Sequence, residues 1–175
     1  MQSWHVRQTE IGTYQLYAGG MQFDCIIGKA GVIDAAAKRE GDMATPLGEM
    51  PIRAVYYRAD RVTLPSLPFP TFPITTSCGW CDAPEHSAYN RHVNLSGKMP
   101  FDASHEVMWR DDTAYDIVVE LGFNDAPVIA GHGSAIFMHC IAPGKTYTAG
   151  CVALAHDDLL AVLVKATSGQ KIIIT

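Results

Sequence analysis

The sequence predicts a mostly β domain, a β-rich α+β fold with one or two short helices, and three observations carry that expectation. Short runs rich in aromatic and β-branched residues recur along the chain. Glycine- and proline-containing turn signals separate them. One segment alone, AHDDLLAVLVKATSG, is convincingly helical in period. The chain has 175 residues, 48% hydrophobic and 18% charged. That size suits one domain, taken as residues 1–175, whose core needs no disulfide or metal staple.

The elements follow in order. WHVRQ, TYQLYA and MQFDCIIG read as strands, and Gly19-Gly20 between the second and third is a hairpin turn. The stretch KAGVIDAAAKREGDMATPLGEM carries two turn signals, Gly41-Asp42 and Thr45-Pro46-Leu47-Gly48, and reads as a charged loop with Lys29, Lys38 and Arg39. PIRAVYY is the next strand. Residues 58–113 then break the rhythm: Pro65, Pro68, Pro70 and Pro73 each lack a backbone donor, which disfavours a central strand. The polar and aromatic block SCGWCDAPEHSAYNRHVNLSG follows, and this segment is expected to be an ordered insertion forming a wall or lid. AYDIVVEL and SAIFMHC read as strands. In the helical segment, Asp157 and Asp158 suit the positive N-terminal end and Gly169 the stop, before QKIIIT closes the chain as a strand.

Charge and hydropathy exclude several function classes. The formal net charge is -5 and Lys38-Arg39 is as long as any basic run gets, which argues against nucleic acid or an anionic membrane surface as the main partner. No apolar run approaches the roughly twenty residues of a membrane span, and MQSWHVRQTE has neither a basic n-region nor an apolar h-region. The five cysteines, Cys25, Cys78, Cys81, Cys140 and Cys151, are odd in number, so at least one thiol stays free.

Reactive chemistry is most plausible at His139 and Cys151. A cysteine attacks as thiolate and needs a base, and His139 stands at the other end of a loop from Cys151. Gly150 before Cys151 allows a tight turn, and the amides of Gly150 and Cys151 are candidates to face an oxyanion. Cys140 adjoins His139 in an apolar run, where neighbouring strand side chains point to opposite faces. The plainer alternative is a buried structural thiol and a satisfied core histidine.

GSAIFMHC and TAGCVAL together resemble the catalytic motif of the L,D-transpeptidase (YkuD-like) domain, a histidine upstream of Ser/Thr-x-Gly-Cys, matched here by His139, Thr148, Gly150 and Cys151. REGDMATPLGEMPI resembles the Gly-Asp-x-x-Thr-Pro-x-Gly signature of the same domain through Gly41, Asp42, Thr45, Pro46 and Gly48. GWCDAPEHSAYNR and SHEVMWRDDTAYDIVV resemble a proteobacterial branch associated with L-Ala to diaminopimelate cross-links. The resemblance implies a β-sandwich fold, a cysteine acyl-enzyme with His139 as base, peptidoglycan stem peptides as partners, no cofactor, and a periplasmic or envelope location. It implies transfer to an amine, with the branch pointing to the L-Ala to diaminopimelate link, or, with water as acceptor, a carboxypeptidase or endopeptidase.

Departures from the family pattern put substrate positioning in question. Ala149 stands where many members have histidine, Ala153 where many have Arg or Asn, and Cys140 where a small polar residue or glycine is usual. Positioning is therefore expected from the insertion, with Arg91 preferred over Arg110 for binding a carboxylate and Asn90, Tyr89 and Trp80 adding hydrogen bonds and an apolar wall. Lys29, Ser134 and Thr148 complete the candidate substrate-binding set. The remaining cysteine pattern, Cys78-Gly79-Trp80-Cys81 with His86 and His92, leaves a redox pair, a zinc-stabilised binding module, and a disulfide or two packed thiols as alternatives.

Overall fold

The computed structural model describes residues 3–96 and 101–175. The opening meander forms as the alternation predicts, with β1 (Trp4–Gln8), β2 (Tyr14–Ala18) and β3 (Met21–Ile26) paired antiparallel in chain order. Gly19 and Gly20 have φ of 57° and 79°, the left-handed pair that a two-residue hairpin turn requires. β4 (Val32–Ile33) and β5 (Thr45–Pro46) form a small parallel pair. The long β6 (Gly48–Tyr57) follows, with β7 (Thr71–Pro73) parallel to its second half.

The insertion is more regular than its prolines suggest. β8 (Cys78–Cys81), β9 (His92–Asn94) and β10 (His105–Val107) make a separate sheet in the order β10-β8-β9. Strands of three or four residues are too short to show alternation, which is why the sequence reads as loop there. Residues 97–100 of the insertion lie outside the described residues.

β11 (Ile117–Leu121), β12 (Phe137–Cys140), β13 (Val152–Leu154), helix α1 (His156–Val164) and β14 (Lys171–Ile174) complete the chain. The large sheet runs β11-β12-β13-β3-β2-β1-β14-β6-β7, and β11 also pairs with β6, so the pairings close into a circuit. β6 turns the corner: Gly48 to Pro51 pair with β14, and Ile52 to Tyr57 pair with β11. A strand shared in this way joins the two layers of a β-sandwich. The fold is thus β-rich with one helix among the described residues, as the patterning predicts. β13 was not foreseen, since the sequence reading passes from Cys151 directly to the helix. Val152-Ala153-Leu154 is too short to show a period.

The two faces of β11 and β12 meet different cores. Ile117, Val119, Met138 and Cys140 join Trp4, Leu16, Val152 and Ile172 in the main core, against which α1 packs Leu159, Val162 and Leu163. Val118 and Phe137 face the other way, into a second cluster with Tyr56, Trp80, Met108, Tyr115 and Cys151. Trp80 of the insertion stands edge-on to Phe137 with ring centres 5.0 Å apart. The insertion therefore covers the outer face of these strands, and burial on both faces explains their continuous apolar sequence.

Candidate active site

β12 and β13 are parallel neighbours, with Met138 opposite Val152 and His139 opposite Ala153. Strand alternation then sends Phe137, His139, Cys151 and Ala153 to one face and Met138, Cys140, Val152 and Leu154 to the other. The cores agree: Cys140 is in the main core and Cys151 in the second. Cys151 and His139 line one cavity of about 360 Å³. Residues on adjacent strands one pleat apart are within reach of each other's side chains.

The environment sets the protonation state of both groups. Cys151 Sγ accepts the Phe137 N–H at 3.4 Å and donates its proton to the Ala135 carbonyl at 3.2 Å. Burial pushes the thiol up to about 12, against the downward pull of the Phe137 amide. His139 Nδ1 lies 2.8 Å from the Cys140 carbonyl oxygen. A carbonyl only accepts, so Nδ1 donates to it, and the ring has a second backbone hydrogen bond to Ala114. Burial lowers His139 to about 4, so the ring is neutral at pH 7. At rest the pair is a neutral thiol and a neutral imidazole, the combination in which histidine acts as base when sulfur attacks.

The two sequence motifs meet beneath the cysteine. Gly150 has φ +143°, and a β-carbon there would lie 2.9 Å from the Ala44 carbonyl oxygen. Thr148 Oγ1 donates to the Cys151 carbonyl at 2.7 Å and accepts the Gly150 N–H at 3.1 Å. That leaves the Cys151 amide as the oxyanion candidate of the two the sequence suggests. Thr45 Oγ1 accepts the Gly28 N–H at 2.8 Å and also reaches the Cys151 carbonyl. Asp42 bonds Lys38 Nζ at 2.7 Å and the amides of Arg39 and Ala44. Burial opposes ionisation of Asp42, but these hydrogen bonds outweigh it and hold the carboxyl below its ordinary range. A threonine from each motif thus holds the main chain of Cys151.

Residues 6–174 match the YkuD family, described as the L,D-transpeptidase catalytic domain. The chain belongs to the YkuD L,D-transpeptidase family. Among curated proteins no relative matches it. Membership makes peptidoglycan the substrate class and the cell envelope the setting of the family's chemistry, and no described helix is long and apolar enough to cross a membrane.

Within this YkuD domain the predicted substrate-binding residues divide. Ser134 and Thr148 line the cavity; Arg91, Asn90, Tyr89, Trp80 and Lys29 do not. Arg91 donates to the carbonyls of Asn90 and Asp125. Asn90 accepts from Trp80 Nε1, and Tyr89 donates to Glu40. Lys29 lies over the Tyr147 ring, 5.3 Å from its centre. The cavity wall instead presents Arg110, Lys145, Glu40, Asp82, Glu106 and Tyr115. Arg110 forms a forked pair with Asp112, at 2.8 and 2.6 Å, and lies over the Tyr115 ring. Tyr115 in turn stands edge-on to His139 with ring centres 5.3 Å apart. Arg110 and Glu106 lie in SHEVMWRDD, a block that carries the family resemblance, and that was the available signal.

The zinc alternative finds no support. Among the described residues no group of three or more His, Cys, Asp or Glu is placed to hold a metal ion. Cys78 and Cys81 belong to different apolar clusters on opposite faces of β8, His92 stacks on Tyr56, and His86 Nδ1 accepts the Ala88 N–H. The disulfide alternative is corrected likewise, since all five cysteines are free.

Proposed function

We propose that this protein forms peptidoglycan cross-links by acyl transfer through Cys151, with His139 as base. The observation that carries the reading is the pairing, in one cavity, of a buried thiol with a neutral imidazole whose Nδ1 is tied to the Cys140 carbonyl. In the first half-reaction Sγ bonds to the carbonyl carbon of an L-residue while His139 takes the thiol proton. The oxyanion forms against the Cys151 amide. Collapse breaks the bond to the D-residue, whose amine leaves with the proton from His139, and a thioester remains. An acceptor amine then loses a proton to His139 and displaces the thiolate.

The cavity suits a zwitterionic peptide in charge. Arg110 and Lys145 supply cations for stem carboxylates, while Glu40, Asp82 and Glu106 supply anions for an ammonium group. We take the donor bond to be L-Ala to D-Glu and the acceptor to be the diaminopimelate side-chain amine, working in the periplasm, with the insertion as one wall of the site. The support for that bond is the resemblance of the GWCDAPEHSAYNR block. Purified muropeptides of defined stem length, incubated with the enzyme and resolved by mass spectrometry, test it. A dimer whose fragments place L-Ala on diaminopimelate supports the proposal. A dimer joined through diaminopimelate at both ends corrects the donor bond, and a trimmed monomer without dimer makes the enzyme a hydrolase.

A further inference from the structure

Asn90 is buried and does not line the cavity at Cys151, and each of its side-chain hydrogen-bonding positions is used. Oδ1 accepts from Trp80 Nε1 at 3.0 Å and from the Ala135 N–H at 3.1 Å. Nδ2 donates to the carbonyls of Phe123 and Asn124, at 3.0 and 2.9 Å. The two donors and two acceptors around it allow one orientation of the amide.

Ala135, at the end of the Oδ1 bond, is an unusual residue. Its φ is +52°, a region L-alanine adopts only where its surroundings impose it. Asn90 holds its N–H, and its carbonyl oxygen accepts the Cys151 thiol proton at 3.2 Å. The preceding residues are held as well: Tyr89 Oη of the insertion accepts the Gly133 N–H at 3.0 Å, and Ser134 Oγ donates to Glu40, outside the insertion, at 2.7 Å. A short run of backbone is thereby fixed between the insertion and the nucleophile.

We propose that Asn90 is a positioning residue for Cys151: it holds Ala135 in its left-handed conformation, so that the Ala135 carbonyl accepts the resting thiol proton and keeps Sγ aligned with the Phe137 amide. The insertion thus orients the nucleophile as well as walling the cavity. The inference rests on Cys151 being the nucleophile, and its test reads the thiol directly, so it stands or falls separately from the choice of peptidoglycan bond.

Asn90→Gly is the informative variant, because Asn90 itself has φ +55° and glycine keeps that backbone while removing the side chain. The readout is iodoacetamide alkylation at pH 8, followed at individual cysteines by peptide mass spectrometry. A carbonyl that accepts the S–H stabilises the neutral thiol, so its displacement raises the thiolate fraction. Cys151 in Asn90→Gly should be alkylated about three- to tenfold faster than in the wild type. Cys25 and Cys140, buried in the main core, should remain as protected as before. With a peptide donor, kcat should fall about tenfold while KM changes little.

Asn90→Asp keeps an oxygen for the Ala135 N–H but not the two donors. Its Cys151 alkylation rate should stay within twofold of the wild type even where its melting temperature drops. An unchanged Cys151 rate in Asn90→Gly, a parallel rise at Cys25 and Cys140, or loss of the fold in both variants would each overturn the proposal.

Discussion

The carbonyl oxygen of Ala44 occupies the space where a β-carbon on Gly150 would stand, 2.9 Å away. One residue comes from the Gly-Asp-x-x-Thr-Pro-x-Gly motif and the other from the cysteine motif, so the contact joins the two segments that carry the family signature. Gly150→Ala meets both this contact and a φ of +143°. It should destabilise the protein by about 2 to 4 kcal/mol and reduce turnover at least a hundredfold, because Cys151 is the next residue. A melting curve and a turnover assay on the variant check this.

Cys151→Ala should abolish turnover, whereas Cys140→Ala should retain most of it. The two thiols face opposite cores across β12 and β13. Cys140→Ala removes a small buried group and should cost about 1 to 2 kcal/mol of stability. Retained turnover in Cys151→Ala together with loss in Cys140→Ala would reassign the nucleophile.

His139 gives stability a defined pH dependence. Its folded value, about 4, lies below the ordinary 6.5, so on acidification the unfolded chain takes up the proton first. The contribution is complete above about pH 6.5 and is lost between pH 6.5 and 4, amounting to about 3 kcal/mol. His139→Gln removes it, so the melting temperature should drop less between pH 7.5 and 4.5 in the variant than in the wild type. For the same reason the acid limb of kcat/KM should lie well below pH 6.5. Equal drops in the two proteins would show that His139 is not buried as a neutral ring.

Arg110 lines the cavity and Arg91 does not. Arg110→Ala should raise KM for a stem peptide about tenfold or more, the loss expected for one charge-assisted hydrogen bond. Arg91 is bonded to the Asn90 and Asp125 carbonyls, so Arg91→Ala should lower the melting temperature and leave KM within about twofold. Steady-state kinetics on both variants decide between them.

Much of this was legible in the chain. The meander, the Gly19-Gly20 turn, β6, α1 and β14 follow from alternation, helical period and turn chemistry, all local signals. So does the facing of Cys140 away from the core that holds Cys151, because strand alternation separates Cys140 from His139. β7 to β10 and β13 were not legible, being too short to carry a period. The cavity wall was illegible for a different reason. Whether Arg91 or Arg110 faces the cavity depends on how the sheet β10-β8-β9 lies against β12, and that is set by packing such as Trp80 on Phe137 rather than by local pattern. Glu40 and Ser134 are likewise joined only by folding, at 2.7 Å.

Intact-protein mass spectrometry during turnover of a defined muropeptide tests the central claim most directly. The account predicts a covalent adduct with the mass of the acyl donor less its D-residue leaving group, mapped to Cys151, absent in Cys151→Ala, and discharged to a cross-linked dimer when acceptor is added. Dimer formation with no adduct in the wild type and undiminished activity in Cys151→Ala would contradict it.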